Sequence, residues 1–255
     1  MRSRLSVRRV ALVVFGLTIA ATVAVAQFAQ RSRNRGRDPL PNASYDGRYT
    51  FFRVRFEPYT GGRDLKWDHD YPRAESHFMK ILRELTTIKP RFDGGNIYSF
   101  DEPEMYKYPI AYVSEPGFWT LSEAEIVGLR KYLLKGGFLI FDDFADAYEW
   151  QNFEARMREV LPNANIVQLD VTHPIFDSFF HIKSLEMQHP YRGVMAEFWG
   201  IHEDNDPSKR LIAIINFNND VGDYMEWSDE GFLPIDLSNE AYKLSVNYVV
   251  YALTH

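Results

Sequence analysis

Four apolar runs in this sequence end on carboxylates. Phe138-Leu139-Ile140-Phe141 runs into Asp142 and Asp143, and Pro109-Ile110-Ala111-Tyr112-Val113 into Ser114 and Glu115. The run over residues 210–217 leads to Asn218-Asn219-Asp220, and the run over residues 51–56 leads to Glu57. Asp70 and Glu75 stand at the start of a helical pattern, just after Trp67. Carboxylates brought together repel one another unless a cation, an arginine or a proton intervenes. Oxygen ligands of this type suit a hard divalent cation such as Ca2+ or Mg2+. The cofactor is therefore left open between none and such a cation, and no metal ligands are assigned. Two carboxylates flanking a sugar would serve glycosidic chemistry if correctly spaced. The plainer structural reading makes Asp142 a cap for the next loop and Asp220-x-Gly222-Asp223 a turn. It gives Glu75 an exposed helix position, paired with Arg73 or Lys80. The candidate ligand-binding set is thus Asp142, Asp143, Glu115, Ser114, Asp70, Glu75, Asp220 and Trp67.

Nucleophilic chemistry has less to work with. The chain has no cysteine, which excludes disulfides, thiolate metal sites and a cysteine nucleophile. Ser114 could pair with His173 or His189 as base, but Tyr112-Val113-Ser114-Glu115-Pro116 lacks the glycines of a G-x-S-x-G elbow. His173, His181 and His189 are eight apart, as are His69 and His77, a spacing that no standard zinc motif uses.

The elements that would position these groups alternate in type. Ser122 and Glu125 have capping-box spacing, Ile126, Leu129 and Leu133 recur at helical intervals, and Gly136 can stop the helix. The wholly apolar strand over residues 138–141 suits a parallel sheet covered on both faces. A first strand over residues 51–56 precedes a helix entered through Asp70 and Pro72, with Ala74, Phe78, Ile81, Leu82 and Leu85 on one face. Short strands are expected over residues 97–100, 109–113, 166–169 and 210–217. A helix lies over residues 150–161, and a closing one over 239–253 is capped by Ser238. Residues 171–209, with three X-Pro breaks, read as an irregular insertion carrying at most short hairpins. Such alternation predicts an α/β fold, a single doubly wound, mostly parallel sheet. In such sheets ligands bind at the carboxyl ends of the strands.

Length and composition fit one large core: 255 residues, 45% hydrophobic and 25% charged, with nineteen Phe, fifteen Tyr and five Trp. Residues 1–37 hold eight arginines and no acid, so the remaining 21 basic residues stand against all 35 acidic ones, a net of −14. An acidic body argues against nucleic acid as a partner. Arg2, Arg4, Arg8 and Arg9 precede an apolar run over residues 10–26 that closes on Ala24-Val25-Ala26. That is the layout of a secretory signal peptide over residues 1–26. Left uncleaved, it would be a short N-terminal anchor, the chain's one route to a membrane. Residues 27–48, rich in Arg and Pro, read as a flexible tether, and residues 49–255 as the folded domain. Either way the body is expected in the periplasm or cell envelope.

Several separated motifs resemble the bacterial family DUF4159. They are Tyr71-Pro-x-Ala74-Glu75, Leu129-x-x-Tyr132-Leu133-x-x-Gly136-Gly137-Phe138-Leu139 with Asp142-Asp143, His173-Pro174-Ile175-Phe176, and Asn247-Tyr248-Val249-Val250-Tyr251-Ala252-Leu253. The resemblance spans residues 49–253. That family is similar in turn to the class I glutamine amidotransferase-like and ThuA-like superfamily, which implies a flavodoxin-like fold. Amidotransferases of that superfamily use a cysteine on a strand-to-helix elbow, which this chain lacks, so amidotransfer is excluded.

Two functions fit. The preferred one is a non-catalytic ligand-binding or protein-interaction module of the cell envelope. The alternative is a ThuA-like protein acting on or binding carbohydrate, with Trp67, Trp119, Trp150 and Trp199 stacking on sugar rings. A deep strand-edge pocket with a Trp wall would favour the second.

Overall fold

The computed structural model describes residues 39–92 and 95–255. The expected signal segment and most of the expected tether lie outside the described residues. Residues 40–48, expected as the end of that tether, belong to the body. Asn42 and Asn96 each use their side-chain amide to bond the other segment's backbone, at Ile97 and Ala43 respectively. Leu40–His255 forms one compact unit.

A seven-stranded sheet organises that unit. Its strands are β1 (Phe52–Val54), β3 (Asn96–Tyr98), β4 (Ile110–Ser114), β6 (Phe138–Phe144), β7 (Val167–Gln168), β8 (Glu197–His202) and β9 (Leu211–Phe217). The order is β3-β1-β4-β6-β9-β8-β7. The first five are mutually parallel, while β8 runs antiparallel to both β9 and β7. Taken alone, the parallel strands follow the 2-1-3-4-5 order, compatible with a flavodoxin-like fold. A separate antiparallel pair joins β2 (Glu57–Pro58) to β5 (Trp119–Thr120).

Helices α1 (Arg73–Leu85), α2 (Glu123–Leu134), α3 (Asp146–Val160), α4 (Val221–Glu226) and α5 (Ile235–Thr254) flank the sheet. Strand periodicity of two divides the core. Ile110, Tyr112, Phe138 and Ile140 pack on the face of α1, α4 and α5. Ala111, Val113, Leu139 and Phe141 pack on the face of α2 and α3. Both faces are apolar because both are covered, as the unbroken apolar run predicts.

Helix α2 has the expected capping box, Ser122 with Glu125, and Gly136 follows it at φ +100°. Its buried stripe is Gly128, Leu129, Tyr132 and Leu133, with Ile126 partly buried. Gly128 lies so near the Phe100 carbonyl that a Cβ would stand 1.8 Å from its oxygen.

Three expectations change. The closing helix starts at Ile235, and Ser238 is buried inside it, donating its N–H to the Pro234 carbonyl rather than capping. Leu85 at the end of α1 is exposed, and Glu75 and Met79 take the buried face instead. The stretch expected to be irregular contains β8, whose six residues pair with β9. Among the described residues no helix is long and apolar enough to cross a membrane.

Candidate functional site

Parallel strands deliver their carboxyl ends to one edge, so β4, β6 and the turn after β9 bring their polar residues together. The alternation that sorts the core also separates Asp142 from Asp143. Asp142 points to the face of Tyr112 and is fully buried. It accepts from Tyr112 Oη (2.7 Å), the Gly222 backbone N–H (2.9 Å) and Asn216 Nδ2 (3.1 Å). Tyr248 donates in turn to Asn216 Oδ1. Burial raises the Asp142 pKa, while these donors pull the other way. The chemistry is that of a clamp: a buried acceptor ties the first turn of α4 to the sheet.

Asp143 faces the rim. Its backbone is left-handed at φ 59°, and its Oδ2 lies 3.5 Å from Ser114 Oγ. Carboxylate oxygens of Asp70, Asp143 and Asp220 lie within 4.8 Å of one another, and so do those of Asp70, Asp223 and Glu226. Asp220 is the N-cap of α4, its side chain accepting from the Asp223 N–H. Asp70 arrives from the loop before α1. Two like charges about 4 Å apart cost about 4 kcal/mol at an effective dielectric of about 20. Burial, and then the neighbouring carboxylates, accordingly push Asp70, Asp143 and Asp220 well above the ordinary carboxylate range. Asp70 is 8% exposed, and its Oδ2 is buried with no hydrogen-bond partner among the described residues. It abuts α4 because residue 222 is glycine. A Cβ there would stand 2.3 Å from that oxygen.

A second group borders this one. His69 Nδ1 contacts Glu115 Oε1, and His69 Nε2 lies 2.8 Å from Asp64 Oδ1. Lys66 Nζ bridges the same two carboxylates at 2.9 and 3.2 Å. Burial works against the imidazolium, but the Glu115 hydrogen bond and charge outweigh it and raise the His69 pKa to about 9. His69 is therefore a cation at neutral pH, with both nitrogens engaged. Glu115, at φ 47° just past β4, is held by His69 and Lys66.

The structure thus brings together Ser114, Glu115, Asp143, Asp70 and Asp220, and places Asp142 beside them facing the core. Two candidates do not reach the edge. Glu75 is not at an exposed helix position: it is 2% exposed and forms a buried ion pair with Arg53 at 2.5 Å. Trp67 has its indole in the core, and its carbonyl accepts from Arg53. Trp119 is likewise buried, against Phe141 and Phe153. Glu57 lies exposed on β2 in the small sheet. Among the described residues no histidine hydrogen-bonds Ser114. His189 Nδ1 accepts from the Tyr191 N–H, and His173 faces His202. His173 Nδ1 accepts from the Ile175 N–H, so its neutral ring carries the proton on Nε2 and donates to His202.

Sequence reasoning missed Lys66, the role of His69, Asp223 and Glu226. Asp220, Asp223 and Glu226 are spaced by three, which places them on one helix side; that signal is hidden when the segment is read as a turn.

The arrangement defines a class: an α/β protein with a mostly parallel sheet whose carboxyl edge carries an acidic cluster. Residues 50–253 match the family described as "Domain of unknown function (DUF4159)", and the chain belongs to that family. No curated protein matches the chain.

Proposed function

We propose that the protein is an exported, non-catalytic ligand-binding module of the cell envelope whose ligand carries positive charge and sits over Asp143. One observation carries this reading. Asp70, Asp143 and Asp220 converge at a sheet edge with a buried Asp70 oxygen left without a partner. Compensation from outside fits that arrangement better than a hydrogen bond from within.

Several observations support a non-catalytic role. There is no cysteine, no histidine bonds Ser114 among the described residues, and both nitrogens of His69 are held by carboxylates. The strand order supports kinship with the class I glutamine amidotransferase-like and ThuA-like superfamily. In that kinship the turn after β4, where the nucleophile elbow would lie, carries the ion-paired Glu115 instead. Export rests on the N-terminal sequence, and cleavage would fall after Ala26. Mass spectrometry of the protein recovered from the envelope of expressing cells tests that point. A chain recovered intact from the cytoplasm would refute export.

The ligand reading is tested by melting the protein with inorganic divalent cations and with spermidine as an organic cation. A rise in Tm that Asp143→Asn abolishes is expected. No response to any cation would overturn the reading.

A second reading, carbohydrate binding, is favoured by a different place. Trp150 and Trp199, with ring centroids 5.2 Å apart, line a groove of about 520 Å3 together with Glu154, Arg158 and Asn165. Quenching of tryptophan fluorescence by oligosaccharides, lost in Trp199→Ala, would support it.

A further inference from the structure

We infer that Asp70, Asp143 and Asp220 form a binding site for one hard divalent cation of the Ca2+ class. The inference deepens the ligand reading above and rests on it.

Three separate elements supply the oxygens: the loop before α1, the end of β6 and the N-cap of α4. All three donors are carboxylates, the ligand type that hard cations take and softer metals do not select. Oxygens on one ion stand at most twice the metal–oxygen distance apart, about 4.8 Å for Ca2+ and about 4.2 Å for Mg2+. The three oxygens all lie within 4.8 Å of one another, a separation that Ca2+ can bridge.

Each oxygen also has a defined local role. Asp220 spends Oδ1 on the Asp223 N–H. Asp143 is reached by Ser114 only at 3.5 Å. Asp70 brings an oxygen within reach of the other two, and its Oδ2, packed against Gly222, is buried with no hydrogen-bond partner among the described residues. The neighbouring set of His69, Glu115 and Asp143 meets the same distance limit but does not serve as a site. Its imidazole is already held between Glu115 and Asp64.

Asp223 and Glu226 share Asp70 with a further set of oxygens within 4.8 Å. They add negative charge beside Asp70 beyond the direct ligands, while Lys66 and His69, paired with Glu115, limit the excess.

The test titrates CaCl2 into the metal-stripped full-length protein at pH 7 by calorimetry. Wild type is expected to bind one Ca2+. Its Tm should rise by about 5–10 °C at a hundredfold excess over Kd. Asp143→Asn, an isosteric change at a half-buried position, should fold, melt at or above the metal-free wild type, and bind Ca2+ at least tenfold more weakly. Asp220→Asn should behave the same way if Asp143→Asn fails to fold, while Asp204→Asn, at an exposed acid elsewhere, should bind like wild type. If Ca2+ does not bind but spermidine does, in an Asp143-dependent way, the metal site is overturned and the cationic-ligand reading stands. If neither binds, both fall.

Discussion

Arg53 on β1 and Glu75 on α1 form a buried ion pair, and the same guanidinium donates through Nη1 to the carbonyls of Trp67 and His69, each at 3.0 Å. The pair therefore fastens the loop that carries Lys66, His69 and Asp70 to the first strand of the sheet. Its charge is spent on positioning, not on a ligand. Arg53 also lies over the Tyr112 ring at 4.9 Å, whose hydroxyl donates to Asp142. The anchor and the clamp thus share an aromatic side chain.

Removing one partner of a buried pair strands the other charge. Glu75→Gln is expected to lower stability by about 3–5 kcal/mol, read from urea denaturation. It should also loosen the 66–70 loop and weaken Ca2+ binding, although Glu75 is not a proposed ligand. A variant as stable as wild type would show that Arg53 is satisfied by the carbonyls alone.

Asp142 and Asp143 are adjacent in sequence, and their substitutions should act in opposite directions. Asp142→Asn turns an amide toward donors that now find a carboxylate. Those donors are Tyr112 Oη, the Gly222 N–H and Asn216 Nδ2. A loss of about 2–4 kcal/mol is expected, from buried donors left unmatched. Asp143→Asn removes one charge from a repulsive cluster and should leave the metal-free protein unchanged or more stable. Equal losses at both positions would refute the division between clamp and rim.

Much of this arrangement is legible in the sequence because it is local or follows from topology. Ser122, Glu125 and Gly136 mark α2 through contacts within a few residues. The convergence of Glu115, Asp143 and Asp220 is readable because parallel strands end at one edge. Glu75 is misread because its partner, Arg53, lies on a strand 22 residues earlier, and helix periodicity carries no sign of a tertiary ion pair. Asp142 and Asp143 look alike at the end of an apolar run, and only the period-two alternation of the finished strand separates them. Strand β8 is hidden because its sequence, Glu-Phe-Trp-Gly-Ile-His, is set among Pro-broken loops, and its pairing with β9 supplies the order that composition does not.

Above about pH 7, where His173, His189 and His202, whose pKa values burial lowers, are largely neutral in both states, stability should fall as pH rises. His69 has its pKa raised from 6.5 to about 9. Its contribution is therefore complete below about pH 6.5 and is lost as pH climbs through 9. The shift corresponds to about 3 kcal/mol. Asp70, Asp143 and Asp220 are also raised, so the folded state holds protons more tightly than the unfolded state, and their cost grows as pH rises. The His69 effect makes the metal-free protein melt higher at pH 7 than at pH 9, and the carboxylates act with the same sign above the ordinary carboxylate range. His69→Gln should flatten the curve between pH 7 and 9, and saturating Ca2+ should remove the carboxylate part. A Tm that rises toward pH 9 would contradict the assignment of His69 as a cation.

Gly222 provides a steric test of the Asp70 position. Its φ is one that alanine can adopt, so Gly222→Ala adds a methyl group and little else. That carbon would stand 2.3 Å from Asp70 Oδ2 and 2.8 Å from Tyr112 Oη. Overpacking of this degree costs about 1–3 kcal/mol, and the Asp70 carboxylate is the freer of the two neighbours to move, since its Oδ2 has no bond to lose. Gly222→Ala should therefore lower the urea midpoint and weaken Ca2+ binding together. Asp70→Ala removes the clash at its source, so the double variant Asp70→Ala/Gly222→Ala should be more stable than the two single effects predict. A coupling of at least about 0.5 kcal/mol in that direction is expected, as for residues in direct contact. Strict additivity would mean that Asp70 does not sit against α4, and the carboxylate cluster would lose the member whose buried oxygen is left unpartnered.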